Sequence, residues 1–318
     1  MPMPSDPHVQ ETCVGLNHVL HDIFGPHPGF RPVHAKGLML KGIFTPTPTA
    51  SELSKAQHLN SSSTPVLARF SSSTGFPDLP DNDPNGNPRG LAVRFQLAET
   101  PRRIHTDIIT HSTPFFPARN GDDALVFFKA VKDGTVGDYL ATHPEALAFV
   151  QAPKPFPTSL AKENFFGVNA IKLISATGKE TCVRYQVMPD SGAEHLDEAT
   201  ATSKSTSYLF DEIPQLLKNG PIIFKLNAQI ADDSDITNDA TVHWPPERKI
   251  VDLGTIKLNA VAEDNAEEQR KIIFDPIPRV EGVEPSDDPL LEVRAGVYLI
   301  SGNERRAVGC PVFHQASL

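Results

Sequence analysis

Eight stretches of this chain alternate apolar and polar residues with a period of two, and no other feature constrains the fold as strongly. They are GLMLKGIFT (37–45), PVLARFS (65–71), RGLAVRFQ (89–96), IHTDIIT (104–110), NAIKLISA (169–176), TCVRYQVM (181–188), PIIFKLNAQI (221–230) and KIVDLGTIKLNA (249–260). Successive side chains of a strand point to opposite faces, so each stretch reads as a β-strand with one buried face. The turn at Thr177-Gly178-Lys179 joins two of them as a hairpin. Strands in this number, with few helices among them, predict an antiparallel barrel, whose closure leaves no exposed edge. The periodicity alone also fits a β-sandwich.

Four segments carry helical signals: Asp122–Lys132, Asp138–Val150, Leu196–Lys218 and Asp287–Ile300, the last with Ser286 as its expected cap. Together with the strands they predict an α+β chain, a barrel with flanking helices. Glycine (20) and proline (30) are plentiful, which predicts many turns and long loops, as in FPDLPDNDPNGNP (76–88). There is no internal repeat and no linker that splits the 318 residues, so one domain is expected.

A formal net charge of −10 argues against nucleic acid or an anionic membrane as partner. Cys13, Cys182 and Cys310 lie far apart and match no metal or redox spacing, which points to a reducing compartment. The N-terminus has neither the basic nor the apolar region of a secretory signal, and no apolar run approaches the roughly 20 residues that span a bilayer. A cytoplasmic location is expected.

Three constellations carry chemistry. In Arg294-Ala-Gly-Val-Tyr298 the first and last residues share a helix face, so guanidinium and phenol can meet. A fixed cation favours phenolate over phenol and a metal favours it far more; phenolate is what a ferric porphyrin requires of a tyrosine ligand. In Arg31-Pro-Val-His34-Ala-Lys-Gly37 the histidine can serve as acid and base toward a peroxide. In Arg69-Phe70-Ser71 the serine can fix that histidine's tautomer. Taken singly each fits a bland role: a helical contact, a solvated loop histidine, a turn serine. His105, His143 and His195 show no ligand spacing, and the chain contains no zinc-protease, nucleophile-elbow or P-loop motif. Trp244 and the phenylalanines read as core.

Together the pieces resemble the haem catalase family. RPVHAKG is similar to its distal-histidine motif, ARFSSSTG to its Arg-Phe-Ser strand and NPRGLAVRF to its Asp-Pro-Arg-Gly-Phe-Ala stretch. FDPIPRVEGVEPSDDPLLEVRAGVY resembles the approach to the proximal Arg-x-x-x-Tyr helix, and HWPPERKIVDLGTIKLN the Trp-Pro stretch before the last barrel strand. These matches keep the family's order from residue 31 to about 306. The resemblance implies an eight-stranded antiparallel barrel around a deeply buried haem b, formed by residues 31–318 as a single domain behind an N-terminal arm of 1–30. It implies His34 as distal acid–base, Ser71 as its orienting partner and Val33 as a constriction. Tyr298 becomes the proximal iron ligand and Arg294 its charge partner. Arg31, Arg69 and Arg305 become the holders of the haem propionates, with Arg306 as a substitute for the last, and Phe115 or Phe116 a contact of the porphyrin.

Two departures stand out. Where the family has Gly-Asn-Asn-Thr-Pro, this chain reads Thr110-His111-Ser112-Thr113-Pro114, so His111 or Ser112 takes the place of an asparagine that helps hold peroxide. The chain also lacks the family's long N-terminal arm and C-terminal helical region, which build the access channel and the tetramer. These features resemble the small, barrel-only catalase-related peroxidases. The resemblance implies a haem peroxidase that reduces hydrogen peroxide or small organic hydroperoxides with an organic donor, weakly active as a catalase, and a monomer or homo-oligomer. Two alternatives stand beside it. One is a catalase-like hydroperoxide isomerase of the allene oxide synthase type, disfavoured by Val33 where those enzymes tend to carry threonine. The other is a haem-binding barrel without turnover.

Overall fold

In a computed structural model, residues 1–308 are described; Cys310 lies outside them. The principal strands are β1 (Gly37–Pro46), β2 (Thr64–Ser71), β3 (Gly90–Ala98), β4 (Ile104–His111), β5 (Phe165–Phe166), β6 (Ile171–Ile174), β7 (Glu180–Pro189), β8 (Ile222–Ile230) and β9 (Ile250–Val261). Their order around the sheet is β8-β9-β1-β2-β3-β4-β5-β7, and β7 pairs again with β8 from Val183↔Ile230 to Pro189↔Phe224. The sheet therefore closes as an eight-stranded antiparallel barrel, which rules out the sandwich. β6 continues the line of β5 along β7, through the expected hairpin, where Gly178 adopts φ 84°.

Alternation fills the barrel from inside. Leu40, Phe44, Val66, Ala68, Phe70, Leu91, Val93, Phe95, Phe165, Phe224 and Leu226 belong to one buried cluster. The ring of Phe70 stands 5.9 Å from that of Phe165 and 6.1 Å from that of Phe224, strands away across the lumen. Eight strands leave an interior just wide enough for side chains. A prosthetic group has no room there, which corrects the expectation of a barrel wrapped around its cofactor. A cavity large enough for one lies against the outer wall instead.

That wall is covered by helices, while the short α2 (Pro48–Leu53), α3 (Gln57–Asn60) and α9 (Asn265–Lys271) pack by β1 and β9. α1 (Pro7–Phe24), inside the expected N-terminal arm, packs against α4 (Gly121–Lys132) and α10 (Leu290–Ala307). Asp6 caps α1 by accepting from His8 N at 2.8 Å, with Pro7 at the first helical position. Asn120 caps α4 by accepting from Asp123 N at 2.9 Å.

Three expected helices differ from those found. Asp138–Val150 is two helices, α5 (Val136–Thr142) and α6 (Pro144–Gln151). The residue before a proline is driven out of the helical region, and His143 sits at φ −127°, ψ 82°. Leu196–Lys218 is likewise split into α7 (Glu198–Ser203) and α8 (Tyr208–Asn219). Leu196 belongs instead to a two-residue strand paired with Phe156, and Asp197 starts α7 by accepting from Thr200 N. The last helix begins at Leu290 and runs to Ala307. Ser286 is not its cap; Asp288 Oδ1 accepts from Leu290 N at 3.0 Å.

Candidate active site

Between the outer face of β2–β4 and the helices α1, α4 and α10 lies a cavity of about 840 Å³. The strand period builds one wall. Residues 68 and 70 point into the barrel, so Arg69 and Ser71 point out; their register partners Ala92, Gly90, Ile109 and His111 follow, and all line the cavity. The helical period builds the opposite wall. Arg294, Tyr298, Ser301 and Arg305 recur at four, three and four residues along α10, one face of a helix, and all four line the cavity. Leu16, Leu20 and Phe24 of α1 close another side.

All the residues singled out in the sequence meet here: Arg31, Val33, His34, Arg69, Ser71, His111, Arg294, Tyr298 and Arg305. The alternatives separate. Arg306 is exposed and donates to Lys271 O; Ser112 Oγ is taken by Arg89 N at 3.0 Å; neither lines the cavity, nor does Phe115, whereas Phe116 does.

On the barrel side, His34 Nδ1 lies 3.0 Å from Ser71 Oγ. His34 has φ 56°, the one non-glycine residue at positive φ among those described. Such a conformation costs on the order of 1–3 kcal/mol and persists only where the surroundings enforce it. Here two backbone bonds enforce it, His34 N to Ser73 O and Ala35 N to Thr74 O, both 3.0 Å. The ring faces the cavity and is otherwise enclosed by protein. Burial, then the charges of Arg69, Arg31 and Arg294, push its pKa down to about 3, so it is neutral near pH 7.

On the helix side, Arg294 donates to Tyr298 Oη from Nε at 3.2 Å and Nη2 at 3.1 Å. The chain of contacts runs further than the sequence suggested. Arg294 Nη1 also donates to Asn169 Oδ1, and Asn169 Nδ2 donates to the buried Asp288 at 2.7 Å. Neither was signalled: Asp288 falls inside the helix expected from residue 287, and Asn169 in a segment that reads only as a strand.

Between the two walls sits an unusual concentration of positive charge. Arg69 donates to the backbone oxygens of His34 and Ala35 and to Gln269; Arg31 donates to Gln269 O and Ile272 O; Arg305 donates to Ser301 Oγ and Ile272 O. None of the three has an ion pair with an acid among the described residues. Burial, followed by their mutual repulsion, lowers the pKa of each. Two buried polar atoms of cavity-lining residues lack a hydrogen-bond partner among the described residues: Arg305 Nε and His111 Nε2.

Such a cavity suits haem. Its volume falls in the range of cofactor sites. Three arginines without acid partners call for an anion, and forked guanidinium groups suit a pair of carboxylates. An arginine-paired tyrosine faces a neutral histidine across the space. Together, fold and cavity fit a protein that holds a haem between the barrel wall and its helices.

Comparison with known proteins agrees. A family model described as Catalase matches residues 29–311. The chain is 33% identical over 301 residues to a catalase-related peroxidase of Mycolicibacterium paratuberculosis, covering 91% of this chain and 94% of that protein. It is 30% identical over 294 residues to a catalase-related peroxidase of Synechococcus elongatus, covering 89% and 85%. Against a catalase of Pseudomonas syringae pv. syringae the identity is 29%, over 84% of this chain and 56% of that one. Among solved structures, a bacterial catalase superposes with a TM-score of 0.77 at 24% identity, covering 96% of this chain and 62% of that chain. A fungal catalase gives a TM-score of 0.78 at 22%, covering 87% and 59%. The chain belongs to the catalase family, and with membership comes haem as the expected cofactor.

Proposed function

We propose that this protein is a haem-dependent peroxidase that reduces hydrogen peroxide or small organic hydroperoxides with a small organic donor, and that it is weak as a catalase. Its cofactor in this proposal is haem b, with Tyr298 as the iron ligand and Arg31, Arg69 and Arg305 on the propionates. Residues 31–318 serve as the haem-binding domain and 1–30 as an arm over it, in a cytoplasmic protein, monomer or homo-oligomer. What supports this reading above all is one relationship: neutral His34, held by Ser71, faces the Arg294–Tyr298 pair across a single cavity.

The residues divide the work as follows. Ser71 engages His34 Nδ1, leaving Nε2 for the substrate. Being neutral, that nitrogen can take the proton from the nearer oxygen of a peroxide and return it to the farther one, which departs as water or an alcohol. Val33 beside it narrows the approach. Arg294 sets its positive charge against the Tyr298 oxygen and favours phenolate. The three arginines offset two carboxylates and fix the plane of the group they hold. A bound haem supplies the electrons for breaking the O–O bond and recovers them from the organic donor.

The test is an absorption spectrum of the purified holoprotein, followed by peroxide with and without a phenolic donor. A Soret band with high-spin ferric features and donor oxidation that collapses in His34→Ala is expected. Haem binding without donor oxidation in the wild type would leave only a carrier barrel. Dehydration of a fatty-acid hydroperoxide to an epoxide would favour the isomerase.

A further inference from the structure

All three cavity arginines are tied to one short stretch of chain at the end of α9. Arg31 donates from Nη1 to Gln269 O and from Nη2 to Ile272 O, both at 3.2 Å, and Arg305 Nη2 donates to Ile272 O at 2.8 Å. The last carbonyls of a helix have no partner within it, so guanidinium groups can take them. Arg69 differs in meeting a side chain. It donates from Nε to Gln269 Oε1 at 2.8 Å, while its Nη2 donates to His34 O at 2.9 Å and Ala35 O at 3.0 Å. The donors of a guanidinium point in fixed directions, so these bonds engage Nε and Nη2 and leave Nη1 for a ligand in the cavity that Arg69 lines.

The amide of Gln269 is held from several sides. Its Nε2 donates to Gly37 O at 3.0 Å and to Asn265 Oδ1 at 2.6 Å, and Asn265 Nδ2 in turn donates to Met39 O at 3.0 Å. A guanidinium only donates and a backbone carbonyl only accepts, so Oε1 must face Arg69 and Nε2 must face Gly37. The amide thereby ties β1 to the edge of the guanidinium. Gly37 fixes the flat side of Arg69 as well. A Cβ there would stand 2.5 Å from Arg69 Cζ, so the guanidinium packs on the bare backbone of this glycine.

Residue type matters here as much as geometry. Gln269 follows Glu267 and Glu268 in the sequence. Glu267 pairs with Arg270 at 2.6 Å and with Lys271 at 2.7 Å, and it is the amide that meets Arg69. A carboxylate at this position would offer no hydrogen to Gly37 O and would set a negative charge against Arg69, in competition with an anionic ligand. An amide aims the guanidinium and leaves its charge uncancelled.

We infer that Gln269 is a positioning residue of the anion site, a neutral clamp that turns Arg69 Nη1 toward a carboxylate of the cofactor and keeps the charge of Arg69 free for it. Gln269 is not among the residues that line the cavity; it acts through Arg69 and, by its backbone oxygen, through Arg31.

This inference rests on the proposed haem protein, and the experiment separates the two. Loss of the group to an excess of a haem-scavenging apoglobin is timed for wild type, Gln269→Met and Gln269→Glu. Each is loaded either with haem or with haem dimethyl ester, whose esterified propionates carry no charge. Thermal unfolding of the apoproteins checks that the variants fold. Gln269→Met loses the aim and should release haem about fivefold faster, within what one hydrogen bond to a charged group contributes. Gln269→Glu also cancels the charge and should release it about tenfold faster. With the dimethyl ester, both variants should match wild type. Should Gln269→Glu fold poorly, Gln269→Met decides. Wild-type haem retention in a folded variant overturns the inference alone, as does an ester lost faster by the same factor as haem, which would leave Gln269 a merely structural residue. A wild-type protein that takes up no haem overturns the proposed function and this inference with it.

Discussion

His34 owes its position to an absence at Gly90: a side chain there would collide with Ser71 Oγ at 2.5 Å and crowd His34 Nδ1 at 3.2 Å. Neither neighbour can retreat easily. Ser71 lies in a β-ladder, and His34 is pinned at φ 56° by its own backbone bonds. Gly90→Ala should therefore leave haem binding intact while breaking the His34–Ser71 contact. Misplacement of a reacting group by about 1 Å can cost around 10²-fold in rate. Stopped-flow reaction of Gly90→Ala with peroxide should show a loss of that order, larger than for Ser71→Ala, which removes the contact without displacing the ring. A wild-type rate would mean the ring does not depend on that gap.

Much of this site was legible because two simple periods built it. Alternation in RFS and RGLA put Arg69, Ser71 and Gly90 on one face, and the spacing in RAGVY put Arg294 and Tyr298 on another. What periodicity could not say was which face of the barrel would be filled. Phe70, Phe165 and Phe224 decide that by meeting across the lumen, a contact between residues far apart in the chain. Asn169 escaped notice for the same reason: its bond to Arg294 spans 125 positions. The helix breaks at His143-Pro144 and near Lys204 carried local signals, a proline and a polar run, which the longer apolar pattern masked.

Among the described residues that line the cavity, Tyr298 is the only tyrosine, so its Oη is the oxygen that would hold the iron as phenolate in the proposed arrangement. Tyr298→Phe removes the donor atom and keeps the ring, so haem retention should fall sharply while the apoprotein folds normally. The check is the Soret-to-protein absorbance ratio after gel filtration, alongside thermal unfolding. A ligand at 100-fold excess over its Kd stabilises by about 2.7 kcal/mol. Wild type should therefore gain thermal stability on haem addition and Tyr298→Phe should gain little. Full haem occupancy with an unchanged spectrum would remove Tyr298 as the ligand.

His58 tests the electrostatics away from the cavity. It is 2% exposed, its ring lies 4.7 Å from that of Phe95, and burial pushes its pKa down to about 4. The unfolded chain, with an ordinary histidine pKa near 6.5, binds more protons than the folded one between those values. Stability should accordingly rise with pH across that window and be lost as pH falls through it. Each such histidine contributes a slope of about 1.4 kcal/mol per pH unit. His58→Phe should flatten the fall in urea-unfolding free energy between pH 6 and pH 4.5 by roughly that amount. An unaltered slope would mean that His58 is protonated in the folded protein.

The last expectation concerns which reaction dominates. Oxygen release requires a second peroxide to be captured and oxidised where the first one reacted. Donor oxidation needs only an electron path to a small organic molecule. The distal space here is narrowed by a second ring: His111 projects from the same wall as His34, and Phe116 and Phe149 stand beside it. The cavity also reaches the surface past Phe76, Val131 and Val150, which line it and yet are 39%, 37% and 46% exposed. An apolar mouth favours entry of an aromatic donor, since burying apolar surface is worth about 25 cal/mol per Å². The protein should thus oxidise a phenolic or dye donor readily and release oxygen weakly beside a full-length catalase at matched haem concentration. His111→Asn trims the ring from that wall, so it should raise oxygen release relative to donor oxidation. Oxygen electrode and donor absorbance, recorded side by side, decide the matter: vigorous oxygen evolution by the wild type with negligible donor oxidation would make the protein a small catalase instead.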